Sequence, residues 1–155
     1  PVVLLILFRL FKGGIRRSAW IALAAFLVTF AGTDAISSRL MKPGFERLRP
    51  SHEERLFEAL TLHHHEDGSV YRGGRYGFVS SHAANTFGLA TLAVLLFGAG
   101  AWRWLWVWAL IVSWTRIHLG VQYPGDILFG ALFGAGWAAA CLTLFRKIDP
   151  RIQTP

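Results

Sequence analysis

Residues 127–145 read ILFGALFGAGWAAACLTLF, an uncharged apolar run held between Asp126 and the pair Arg146-Lys147. A helix that crosses a bilayer needs about 20 such residues. The stretch therefore predicts a membrane-spanning helix, and it decides how the rest of the chain is read. Residues 19–40 form a second candidate span, charged only at Asp34 and Arg39. Residues 83–101 form a third with no charge, and residues 102–115 a fourth that holds only Arg103 and is short unless it runs on to about His118. Residues 1–11 look like the end of a further helix, so Pro1 reads as opening partway through an element and not as a secretory signal. The chain is 54% hydrophobic, with a mean hydropathy of +0.42, more apolar than a soluble domain of this size. The expected fold class is all-α: one domain over 1–155, an integral-membrane helical bundle of about five to six transmembrane helices, its N-terminal part missing.

The formal net charge is +7, but the cations form no tail or stripe for nucleic acid. Arg9, Lys12, Arg16 and Arg17 lie in one link, Arg103 in a turn, and Arg146, Lys147 and Arg151 in the tail. Alternating spans put all of these on one side, the cytoplasmic one by the positive-inside rule. Loops 41–80 and 116–126 then face outward, the first with nearly balanced charge. Trp102, Trp104, Trp106 and Trp108 alternate like a strand, yet their apolar context favours a helix with an interfacial aromatic belt. In the long loop, Glu53 to Leu62 predicts a short surface helix with Leu56, Phe57 and Leu60 on one face. Ser51 and Glu54 fit a capping box, and Gly73, Gly74 and Gly77 read as a flexible approach to the next span. Cys141, the one cysteine, reads as a small core residue.

Three polar clusters fall at one membrane depth: Lys42, Arg47, Arg49 and Pro50; Ser80, Ser81 and His82; and Thr115, Arg116, Gln122 and Asp126. Guanidinium forks, an ammonium and the free amides of a helix start suit a phosphate. These residues resemble the motifs of the type 2 phosphatidic acid phosphatase (PAP2) family, a likeness running from about residue 18 to 145. Lys42 and Arg49-Pro50 match its first motif, Val79-Ser80-Ser81-His82 its Pro-Ser-Gly-His motif, and Thr115-Arg116, Gln122 and Asp126 its Ser-Arg, His and Asp.

The resemblance implies a membrane lipid phosphatase that needs no cofactor and no metal. Lys42, Arg49 and Arg116 would hold the phosphoryl oxygens, with donors from Ser80 and the backbone at Ser81. His82 would protonate the leaving oxygen. Position 122 would carry the nucleophilic histidine, oriented by Asp126, with a phosphohistidine as intermediate. The related soluble vanadium haloperoxidases are disfavoured by the four apolar spans. The expected partners are the bilayer and a lipid phosphate: phosphatidic acid, phosphatidylglycerol phosphate, undecaprenyl pyrophosphate or a lipid A phosphate. A bacterial inner membrane with the site facing the periplasm is the expected location. Gln122 departs in a way that matters, since a carboxamide nitrogen has no available lone pair and cannot become phosphorylated. A deliberate inactivating substitution and a natural pseudoenzyme both fit it. A binding-only protein and a transporter are the alternative classes, the second disfavoured because no paired broken helices are visible.

Plainer readings stand beside these. Ser80 and Ser81 could N-cap the third span, and Asp126 the last. Arg47 reads as an interfacial anchor, and Arg116 has Asp126 as a candidate partner. Asp34 is an intramembrane charge expected to pair with Arg39 or a cation of the site. His118, on a continuing helix, would point away from Arg116. The run His63-His64-His65 lacks the spacing of a zinc site and reads as solvated loop.

Overall fold

The structure, a computed structural model, describes residues 1–56, 59–60, 62 and 65–152. Five helices carry the described chain: α1, Val2–Phe11; α2, Arg17–Phe45; α3, Ser81–Phe97; α4, Trp104–His118; and α5, Pro124–Ile148. Among the described residues the only β pairing is an isolated antiparallel bridge between Leu48 and Tyr76. The all-α expectation holds, and the tryptophan run lies on a 3₁₀ turn and α4, not on a strand.

The helix ends follow from local chemistry. Gly98, at φ +86°, ends α3 in a conformation that side chains other than glycine rarely adopt. Pro124 opens α5 where its missing N–H is no loss. α4 continues to His118, as the short fourth span required. The helices α2 and α5, of 29 and 25 residues, are long and apolar enough to cross a membrane; α3 and α4 are shorter. Trp104, Ile111, Trp114 and Leu132 are among the large apolar side chains left exposed on the outer faces, where acyl chains would cover them.

α3 is the central helix, packed against α2, α4 and α5. The core joins Ala22, Ala25 and Phe26 of α2 to Leu92, Ala93 and Leu96 of α3 and Leu142 of α5. Small residues let α3 and α5 approach closely. A Cβ on Gly130 would lie 2.6 Å from the Ser80 carbonyl oxygen, and one on Gly134 would collide with the Ala84 carbonyl. Gly134→Ala is therefore expected to destabilise the bundle by about 1–3 kcal/mol, the usual cost of overpacking. Gly136→Ala, which meets nothing nearby, should not lower the unfolding midpoint in detergent micelles, since alanine is the better helix former.

Arg9, Lys12, Arg16 and Arg151 line one cavity of about 310 Å³ beside the C-terminal end of α3. The basic link and tail thus share one end of the bundle, as the charge distribution predicts. The phosphate-type motifs occupy the other end.

Candidate functional site

α2 does not stay regular up to that end. Residues Ile36–Met41 form a π-helical turn, and the Lys42 N–H bonds back to the Ser37 carbonyl. Such turns widen a helix locally and often mark functional positions. Ser37 is fully buried and donates to Ser81 Oγ at 2.8 Å, and Lys42 Nζ donates to the same oxygen at 2.7 Å. Ser81, where the family motif has glycine, sits in an ordinary helical conformation and presents its hydroxyl to the lysine.

Ser80 caps α3, its Oγ accepting from the Ala83 N–H at 3.4 Å, while its own N–H donates to the Asp126 carbonyl at 3.0 Å. The start of α3 is thereby tied to the start of α5. His82, one residue into α3, is exposed. The charges of Arg116, Lys42 and Arg49 all bear on its ring, so the three cations and the histidine face one region.

Arg49 is positioned by backbone. Its Nε donates to the Tyr76 carbonyl at 3.1 Å, and the paired strands run Arg49 N–H to Arg75 O and Gly77 N–H to Arg47 O. Gly73 and Gly77 are close-approach positions, while Gly74 meets only an ordinary contact, so the segment is more than the flexible approach the sequence suggests. Gly73 has φ +65°, and a Cβ there would strike the Arg49 guanidinium; a Cβ on Gly77 would lie 3.1 Å from Asp126 Oδ2 and 3.2 Å from Arg49 Cγ. Burial lowers the basicity of Arg49 and the neighbouring Arg116 lowers it further, against the opposing pull of Tyr71 and Asp126.

The third motif closes the site. Gly120, at φ +65°, turns the chain after α4. Gln122 is 5% exposed, and its Oε1 has no hydrogen-bond partner among the described residues. A buried amide left so costs about 1–3 kcal/mol, a deficit that a ligand or ordered water would relieve. Asp126 is fully buried; Oδ1 accepts from Arg47 Nη1 at 2.8 Å and Oδ2 from the Tyr123 N–H at 3.0 Å. Asp126 is thus not the N-cap of α5, which is Tyr123; it sits at the third helical position and bonds back to the N-cap N–H, as in a capping box.

Several pairings differ from the sequence reading. Arg47 is no mere interfacial anchor: it pairs with Asp126 and lies 4.4 Å above the Tyr123 ring. Arg116 bonds the Tyr71 hydroxyl at 2.9 Å, not Asp126. Asp34 accepts from Asn85 Nδ2 at 3.3 Å, not from Arg39 or a site cation. Ser51 makes no capping box; its hydroxyl donates to the Arg72 carbonyl at 2.7 Å, and the described part of the expected surface helix is a 3₁₀ turn, Glu54–Leu56. Phe57, His63 and His64 lie outside the described residues. Thr115 is exposed and donates to the Val112 carbonyl of its own helix, so its hydroxyl does not join the cluster. His118 ends α4, exposed. Ser37, Tyr71 and Asn85 are the residues that the sequence reading missed, and for Arg47 it missed the partner. Only Asn85, three residues past His82 on one helix face, left a signal.

The fold defines an all-helical membrane protein with a cluster of basic residues at one end of its bundle. The chain belongs to the PAP2 superfamily, which it matches over residues 18–150. It is similar to a lipid A 4'-phosphatase of Bacteroides thetaiotaomicron, 37% identical over 99% of this chain and 67% of that protein. A lipid A 4'-phosphatase of Porphyromonas gingivalis is 32% identical over 83% of this chain and 52% of its own length. The chain thus spans between about half and two thirds of these relatives. No solved structure matches it.

Proposed function

We propose that this protein is a lipid phosphatase fold for a phosphomonoester of the lipid A type, and that with Gln122 it holds the substrate without turning it over. The observation that carries the reading is that Lys42, Arg49 and Arg116 all act electrostatically on exposed His82, while Gln122 is buried with an Oε1 that finds no hydrogen-bond partner among the described residues. The relatives named for lipid A favour that lipid over phosphatidic acid, phosphatidylglycerol phosphate or undecaprenyl pyrophosphate. The site would face the periplasm of a bacterial membrane, which keeps the acyl chains in the bilayer while the phosphate meets water.

Lys42, Arg49 and Arg116 would bind the three non-bridging oxygens and stabilise charge in the transition state, with the first amides of α3 as further donors. With histidine at 122, a ring nitrogen would attack phosphorus as the bond from phosphorus to the lipid oxygen breaks. His82 would give its proton to that oxygen. Water would then attack the phosphohistidine, returning its proton to His82 and releasing phosphate. Gln122 can hydrogen-bond to a phosphoryl oxygen but cannot make the first bond. A binding-only protein is the second reading, and Gln122 is the observation in its favour.

The experiment is phosphate release from these four lipids by the chain as it stands and by Gln122→His. Release from lipid A by the histidine form alone is expected. Binding with no release by either form, on any lipid, overturns the phosphatase reading in favour of the binding protein.

A further inference from the structure

The substrate's phosphate and its acyl chains must lie at different depths, and the skeleton joining them has to pass some part of the protein. One place is polar and open. Asp34 lies two turns before Lys42 on α2, about 12 Å toward the middle of the span, and it is exposed. An exposed carboxylate at that depth does not sit among acyl chains; such charges face water, a partner or a ligand. Its one hydrogen-bonded side-chain partner among the described residues is Asn85, and Oδ2 makes no bond there.

Asn85 is held in a fixed orientation. The Asp34 carboxylate can only accept, so it takes Asn85 Nδ2 and leaves Asn85 Oδ1 2.7 Å from Thr33 Oγ1, whose one proton is also within reach of the Thr29 and Phe30 carbonyls; the flipped amide would set an acceptor against the carboxylate. Asn85 follows His82 by three residues on the same face of α3, and Asp34 acts electrostatically on both His82 and Lys42. The pair therefore sits one helical turn inward of the residue assigned to the leaving oxygen. It offers acceptor capacity, and its carboxylate would repel a second anion.

We infer that Asp34 and Asn85 form a subsite for the group that carries the phosphate, selecting lipids whose skeleton holds O–H or N–H donors next to the leaving oxygen, as on a sugar ring. This rests on the phosphatase reading above. A diacylglycerol skeleton, which has esters and no donor there, would leave the carboxylate unpartnered.

Because Gln122 blocks turnover, equilibrium binding to the chain as it stands tests this. The probes are lipid A and phosphatidic acid, titrated in detergent micelles at one salt concentration. The chain should prefer lipid A. Asp34→Asn and Asn85→Ala should each cut the ratio of the two affinities about tenfold, the usual worth of a hydrogen bond to a charged group. Lys42→Ala should weaken both lipids and leave the ratio unchanged. An unchanged ratio in folded Asp34→Asn and Asn85→Ala proteins overturns the subsite and leaves the phosphate reading standing. If neither lipid binds, or Lys42→Ala weakens neither, the phosphate reading fails and the subsite with it.

Discussion

Gln122→His is expected to raise phosphate release from lipid A by on the order of a million-fold. Loss of a nucleophile from a catalytic unit costs about that much in a protease series, and the substitution runs the change backwards. Such a factor corresponds to about 8 kcal/mol of transition-state stabilisation. Position 122 is buried in the loop between α4 and α5, next to Val121, which packs against the Gly73 segment that also cradles Arg49. Histidine has about the size and polarity of glutamine, so the exchange disturbs packing little. Asp126 lies four residues on, and each of its oxygens, already bonded to Arg47 and Tyr123, retains a second lone pair. A gain below about a hundredfold would show that more than the nucleophile is missing.

The second large effect concerns His82. In the Gln122→His protein, His82→Ala should lower turnover by about 10²–10⁴-fold, the usual contribution of a general acid. The sign of the pH effect follows from its role. An acid must be protonated to act, so the rate of the parent falls as pH rises through the pKa of His82, and that limb should vanish in the variant. A lipid analogue with a good leaving group should recover most of the loss, because its oxygen needs no proton. Arg116→Ala would behave otherwise: it weakens binding of charge in both steps and keeps the limb.

The parts of this molecule legible in the sequence were those written at fixed spacing. Lys42, Arg49, Ser80, His82, Arg116, Gln122 and Asp126 stood out because the family motifs they match demand particular residue types at fixed intervals. The apolar runs marked the helices for the same kind of reason, since a bilayer dictates length and charge. What stayed hidden depended on neighbours distant in the chain. Arg47 and Arg49 differ by two residues, and only the pairing of 47–49 with 75–77 turns one to Asp126 and the other into the glycine segment. Gly73 and Gly77 read as a linker because nothing local reveals the Arg49 and Asp126 side chains that press on them. The π turn that brings Ser37 and Lys42 to one hydroxyl has no local sequence mark. Ser51 carried a capping pattern, but its hydroxyl found the Arg72 carbonyl instead.

The most direct test of the account is covalent trapping. The Gln122→His protein and the parent chain would each be mixed with lipid A labelled at its phosphate, quenched in base within milliseconds, and digested for mapping. The account predicts an acid-labile, base-stable phosphate on the peptide carrying residue 122 of the histidine form, and none on the parent. Turnover by the histidine form with label on no residue, or on any residue other than 122, would contradict it.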